Sequence, residues 1–436
     1  MINRMFTSRV DAVVWRVLYL VFPLYLLFSV FFRHRSETFS ALMVLIGILS
    51  LGQMRSRLEL LPLRLYEKRL LLLFFVYSAV SILIALYWPF NADAERRLLD
   101  DIRLLVAIPF FFVLRSREVS HRNLFLLFAI FALAMLSVSL SQYFRVDYIQ
   151  GVYSFRYSRP SADVNPMRYA TISLVVASFV LNFWLVNQFK SKAASVLFVV
   201  AVVGGLIACI LTQTRGVWLA IPLLCLLYVC FFFGGRGRLK LLSGVVVLIM
   251  FVAVSTQHSF VEQRINTTTK NLERYVDGDN YSSLGVRLDM YKASLILVSY
   301  RPILGHGLGA FKEKSKALRD EGVIGDDIHK AVGRFSTPHN EFFQALVEKG
   351  LVGLVLTVLM FVVPGLIFYR ALRAKNKQVV CYGLSGISML TVYFVAGQTG
   401  TLFNHNILMN FYIVMTLLFV GQIRVLERKT GERIDR

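Results

Sequence analysis

Apolar residues in this chain come in solid blocks of about 18 to 22, each long enough to cross a hydrocarbon core of about 30 Å as a helix. Residues 194–211 (ASVLFVVAVVGGLIACIL) are one example. In lipid a backbone must satisfy its own hydrogen bonds, so only helices or a closed barrel can cross. Barrel strands would alternate apolar and polar residues at period two, and these runs do not. Over 436 residues the chain is 56% hydrophobic and 17% charged, with a mean hydropathy of +0.61. The prediction is an all-α polytopic membrane helical bundle of about twelve spans. They lie near 13–32, 39–53, 69–88, 98–114, 122–143, 167–189, 194–211, 216–233, 239–257, 346–369, 378–397 and 406–423. The first is read as an uncleaved span, because its apolar run is too long for a signal peptide and no small-residue cleavage site follows.

A net charge of +22 would suggest nucleic acid in a soluble chain. Here it is a matter of topology. Arg55, Arg57, Arg64, Lys68, Arg69, Arg370, Arg373, Lys375, Lys377 and the tail from Arg424 to Arg436 all fall on one set of loops. That side holds roughly three times as many basic residues as the opposite short loops, which places both termini in the cytoplasm. No nucleic-acid partner is implied; contact with anionic membrane lipids is. The chain then divides into spans one to nine (1–257), a long external loop between spans nine and ten (258–345), and the last three spans with a short cytoplasmic tail (346–436). The loop is nearly neutral and sparse in core-forming runs, more a lid than a domain. Its clearest amphipathic stretch is 283–300 (SLGVRLDMYKASLILVSY), ended by Pro302. The cysteines, at 209, 225, 230 and 381, sit inside apolar runs and read as membrane-buried small hydrophobes.

Three features on the external side could carry chemistry. In Leu211-Thr212-Gln213-Thr214-Arg215-Gly216, an arginine at a membrane boundary can grip an oxyanion with its planar fork, or simply snorkel to the interface. Arg287 opens the amphipathic stretch after the candidate caps Ser282 and Ser283, where Asp289 and Lys292 also allow a plain solvated face. In Thr337-Pro338-His339-Asn340-Glu341-Phe342-Phe343, Pro338 fits the first helical position with Thr337 as cap. That would put His339 in the first turn, where the helix dipole lowers an imidazole pKa and leaves a neutral base. Packing at the interface is the plainer alternative. No histidine spacing suggests a metal, and Asp277-Gly278-Asp279 reads as a turn. Asp100 and Arg103, at i and i+3 near the outer end of the fourth predicted span, are placed to pair.

Two runs go further: Arg301-Pro302-Ile303-Leu304-Gly305-His306-Gly307-Leu308-Gly309-Ala310-Phe311, and His339-Asn340-Glu341-Phe342-Phe343-Gln344-Ala345-Leu346-Val347-Glu348-Lys349-Gly350-Leu351-Val352-Gly353. With Thr214-Arg215-Gly216 and Asn165-Pro166, they resemble the O-antigen ligase/polymerase superfamily, and within it the O-antigen ligase family. The resemblance implies a GT-C-like glycosyltransferase of the bacterial inner membrane, with its active site on the periplasmic face and no cofactor or metal. Its donor would be O-antigen on undecaprenyl diphosphate and its acceptor the lipid A–core. His339 would be the general base, and Arg215 and Arg287 would bind the diphosphate. Arg159, Arg168, Asn340, Arg264 and Arg334 are further candidates for substrate binding. A polymerase joining lipid-linked repeats would need the same groups. A transporter or flippase of lipid-linked sugars would instead need broken spans and polar groups at mid-membrane, for which only Gly204-Gly205 and Gly397 to Gly400 offer openings.

Overall fold

The computed structural model describes residues 62–144, 159–162, 164–187, 191–232, 273, 283–324 and 332–434. These form helices α1 (Leu65–Tyr87), α2 (Ala92–Leu114), α3 (His121–Tyr143), α4 (Pro166–Asn187), α5 (Lys192–Leu211), α6 (Arg215–Trp218), α7 (Ala220–Phe232), α8 (Ser283–Tyr300), α9 (Phe311–Asp320), α10 (Glu341–Ala371), α11 (Lys377–Gly397) and α12 (Asn406–Thr430). No strand occurs among the described residues. The predicted spans at 13–32, 39–53 and 239–257 lie outside them. Every other predicted span corresponds to a helix, and eight segments are long and apolar enough to cross a membrane. The chain is a multi-pass helical membrane protein.

The exception is α2. It begins six residues before the predicted span, and its first half carries Asp93, Glu95, Arg96, Arg97, Asp100, Asp101 and Arg103, too many charges for a lipid-facing helix. Glu95 and Arg96 stay exposed near the start of the helix, and three of the others point inward. Arg97, Asp100 and Asp101 are buried, and Asp100 pairs with Arg103 as its spacing foretold. Asp101 meets the Lys349 ammonium at 2.7 Å.

Sequence-local capping sets many of the helix ends. Asn91, Ser120, Ser191, Asn340 and Asn376 each accept a backbone N–H in the first turn that follows. Gly431, at φ 71°, ends α12 in the left-handed conformation. The most buried helices are α4, α11 and α12, which pack through Phe179, Tyr382, Tyr393, Tyr412 and Phe419. Gly204 and Gly205 do not break α5. They let it press against Leu136 of α3 and Ala177 of α4, where an added Cβ would lie 2.9 and 2.8 Å from those side chains. Cys209 and Cys381 are buried as expected, whereas Cys230 is exposed on α7.

Two charged networks mark opposite ends of the bundle. At one, Glu67 of α1 meets Arg115 after α2 (2.8 Å) and Arg424 of α12 (3.5 Å), while Tyr66 donates to Glu427 at 2.7 Å. The other end holds the three features that the sequence singles out.

Candidate functional site

Residues 398–405 (QTGTLFNH) join α11 to α12 without helix. Two threonines, a glycine and an asparagine in this stretch offer little to propagate a helix. The turn instead becomes the point on which five other elements converge. Asn340 Nδ2 and the Tyr291 hydroxyl both donate to the Gln398 carbonyl, at 3.3 and 3.2 Å. The Glu341 carboxylate accepts from the N–H groups of Leu402 and Phe403, at 2.5 and 3.3 Å. Arg97 of α2 donates to the Asn404 carbonyl at 3.1 Å. Arg168, in the first turn of α4, donates to His405 Nδ1 at 2.9 Å, and the other nitrogen of that ring is 3.3 Å from Thr401 Oγ1. Gly216 of α6 lies so close to Thr399 that an added Cβ would sit 2.2 Å from the threonine hydroxyl.

His339 sits differently from the prediction. The cap of α10 is Asn340, whose Oδ1 accepts from Phe342 and Phe343 N–H at 2.9 and 3.2 Å. Thr337, Pro338 and His339 therefore precede the helix, and His339 takes a left-handed φ of 53°, uncommon for a residue other than glycine. Asparagine wins the cap because its side chain reaches two orphan N–H groups. The imidazole pKa is indeed lowered, but burial is the main cause, followed by the nearby positive charge of Arg287. The result is a neutral base beside a cation. The His339 ring also meets Phe335 edge-on, 5.4 Å between centroids.

α8 brings Arg287 to this place. The helix spans Ser283–Tyr300, the bounds read from the sequence, and packs along α10 with Tyr291 stacked on Phe343 at 4.9 Å. His405 is partly buried, and its pKa is pushed well down by desolvation and by the charges of Arg168, Arg97 and His339. Arg287, His339, His405, Arg168 and Arg97 are therefore electrostatic neighbours.

Arg215 reaches the same turn through Gly216, with its own side chain exposed at the start of α6. Ahead of it Gln213 has φ 55°, and Thr214 N–H donates to Thr212 Oγ1 at 3.2 Å. Arg159 and Arg334 are exposed and are not drawn into the turn. Arg264 lies outside the described residues, as does Asp277-Gly278-Asp279. Among the described residues no three His, Cys, Asp or Glu side chains come together in the manner of a metal site.

Sequence reasoning missed Arg97, Tyr291, Gln398 and His405. The available signal was the polar run from Gln398 to His405 between two apolar blocks, which reads locally as an ordinary turn. Its role depends on the helices that gather around it.

Comparison with known proteins adds a family. Residues 200–358 match the family model described as O-antigen ligase, a segment that contains Arg215, Arg287 and His339. An uncharacterized protein of Haemophilus influenzae is 23% identical over 363 residues, covering 81% of this chain and 86% of that protein. An O-antigen ligase of Escherichia coli is 26% identical over 210 residues, covering 47% of this chain and 46% of the ligase. The family that the two motif runs resemble is thus met again by the domain model over residues 200–358 and by a curated relative, and both support the O-antigen ligase family.

Proposed function

We propose that this protein transfers a finished O-antigen chain from undecaprenyl diphosphate to a sugar hydroxyl of the lipid A–core, at the periplasmic face of the bacterial inner membrane. The observation that carries the reading is a neutral imidazole close to a guanidinium, His339 near Arg287, beside a turn that also gathers Arg168 and Gly216. His339 accepts the proton of the acceptor hydroxyl as its oxygen attacks the anomeric carbon of the donor. The bond from that carbon to the phosphate oxygen breaks, and undecaprenyl diphosphate departs with both bonding electrons. Arg287, Arg215 and Arg168 offset the charge that develops on it, taking the place that a divalent cation holds in other diphosphate-dependent transferases. Direct displacement inverts the anomeric centre. Asn340, Arg159, Arg264 and Arg334 are outer contacts for the sugars or phosphates of either substrate. In this reading the fold is a twelve-span GT-C-like bundle with both termini cytoplasmic, the 258–345 loop acting as its lid.

The test is transfer in vitro by purified protein given lipid-linked O-antigen and rough lipopolysaccharide, with EDTA present. Activity should persist in EDTA and fall at least about 100-fold in His339→Ala and in Arg287→Ala and Arg215→Ala. Full activity in His339→Ala would sink the base assignment. A strict need for added divalent metal would sink the role given to the arginines. Growth of glycan on the lipid carrier without lipopolysaccharide would favour the polymerase.

A further inference from the structure

α10 is broken at Gly350, whose φ of 62° and ψ of −154° are not helical. Past the break, 351–371 is about 20 residues and ~30 Å long, by itself a full membrane crossing. A crossing that begins at the break would put Gly350 at the outer edge of the hydrocarbon. The chain that occupies the break comes from the external loop. Leu351 N–H donates to the Pro302 carbonyl at 2.7 Å and Val352 N–H to the Ile303 carbonyl at 3.4 Å, while His306 and Gly307 N–H groups donate to the carbonyls of Val347 and Glu348 at 2.8 and 3.0 Å. A Cβ on Gly350 would lie 2.3 Å from the Ile303 carbonyl carbon. The 302–307 segment is thus fixed at the level where lipid begins.

What this segment shows to its surroundings is apolar. Ile303 is 64% exposed and Leu304 46%, next to exposed Tyr300. Across from them, the outer end of α1 and the turn after it expose Tyr87 and Phe90. Between the two groups, the Arg301 guanidinium lies 4.5 Å from the centre of the Trp88 ring, and Tyr87 meets that ring edge-on at 5.2 Å. The two helices that meet at the patch also expose Leu83 and Leu86 on α1 and Leu351 and Val355 on α10. Two tyrosines, a tryptophan and an arginine at the end of a span have the chemistry of the membrane–water interface, with ring bodies among acyl chains and cation at the phosphates.

We propose that the Tyr300–Leu304 turn, with Tyr87, Trp88 and Phe90, is immersed in the outer leaflet of the bilayer, and that Arg301 contacts the phosphate of an outer-leaflet lipid. The partner is bilayer phospholipid. α8 is then held at one end by lipid and at the other by the site, since its first turns carry Arg287 and its last residue is Tyr300.

The test places a photo-crosslinking residue at position 303 of the otherwise unaltered full chain, in liposomes of phosphatidylethanolamine and phosphatidylglycerol containing radiolabelled phospholipid. Controls carry it at position 355, on the span, and at position 312, exposed on α9. Lipid labelling at 303 should equal that at 355 and exceed that at 312 several-fold. Labelling at 303 no higher than at 312 overturns the immersion. Where the bulky residue disturbs the turn, a spin label on Ile303→Cys, in a background with alanine at the four native cysteines, reads the same point. Its relaxation should be faster with oxygen than with a water-soluble nickel chelate, and the reverse order overturns the proposal. For the phosphate contact, the thermal stabilisation of detergent-solubilised protein by added phosphatidylglycerol should be lost in Arg301→Gln. Equal stabilisation of both proteins overturns that part.

Discussion

Arg168 and His405 are bonded guanidinium to imidazole, with 2.9 Å between Nη2 and Nδ1. Because the arginine is the donor, Nδ1 must be unprotonated, so the remaining ring proton sits on Nε2, facing Thr401 Oγ1. A protonated His405 would set two cations against each other. His405→Asn retains an acceptor near Nδ1, whereas His405→Ala leaves Arg168 to swing. Transferase activity should therefore fall at least about tenfold further in His405→Ala than in His405→Asn, chiefly through a raised KM for the lipid-linked donor. Equal losses would remove the positioning role.

The same bond has a pH signature. The folded pKa of His405 is held well below the ordinary imidazole value of 6.5, so below 6.5 the unfolded chain binds more protons than the folded one. Its contribution to stability is complete above 6.5 and is lost as pH falls from there toward the folded pKa. Thermal melting of detergent-solubilised protein should show a decline in Tm on the acid side that is blunted in His405→Asn. If His339 is the general base as proposed, its lowered pKa should put the acid limb of transfer activity below 6.5, and a limb above 6.5 would contradict the base assignment.

At Gly216 the close approach to Thr399 leaves no room for a side chain. Gly216→Ala should displace the Arg215 segment and lower activity at least about tenfold, with the protein still inserted and folded. Thr399→Ala removes the atoms in the way, so the double variant should recover part of the loss. A double variant no better than Gly216→Ala would show that the arginine is not held through this contact.

Gly350 has a backbone conformation that essentially only glycine adopts, and the Ile303 carbonyl occupies the space of its Cβ. Gly350→Ala should destabilise by ~3 kcal/mol or more, seen as a lowered Tm or as loss of protein from the membrane fraction. A normal Tm would mean that α10 can straighten.

Asp101 and Lys349 form a buried pair at 2.7 Å, with Lys349 also 4.1 Å above the Tyr77 ring. Removing one charge strands the other in an apolar surrounding, so Lys349→Met alone should cost about 3–5 kcal/mol. Asp101→Asn with Lys349→Met should cost less than either change alone, as measured by thermal unfolding of the three variants.

Much of this architecture was legible in the sequence because membrane helices declare themselves through length and apolarity alone. α3, α5 and α11 fall within a few residues of their predicted bounds for that reason. α2 escaped in part because its inward-facing charges make it look shorter than it is. Arg287 and His339 could be picked out as candidates, but their proximity could not, since it depends on α8 packing along α10. The cap of α10 was misjudged by three residues because Thr337-Pro338 is the stronger local signal, and only the geometry shows Asn340 holding two N–H groups. Arg97 and His405 were invisible for a related reason. Each belongs to a local setting that explains it without function, and only the convergence on residues 398–405 gives either a role.

The break at Gly350 also bears on how the chain is assembled. Two N–H and two C=O groups at that point are bonded by residues 302–307, and polar backbone left unmatched at the edge of lipid costs several kcal/mol. Those residues leave the ribosome before α10 does, and in the proposed topology they must first be carried across the membrane. The last stretch of external chain and the helix that follows it therefore reach their final form together, and a cell that translocates the loop slowly also delays the seating of the helix.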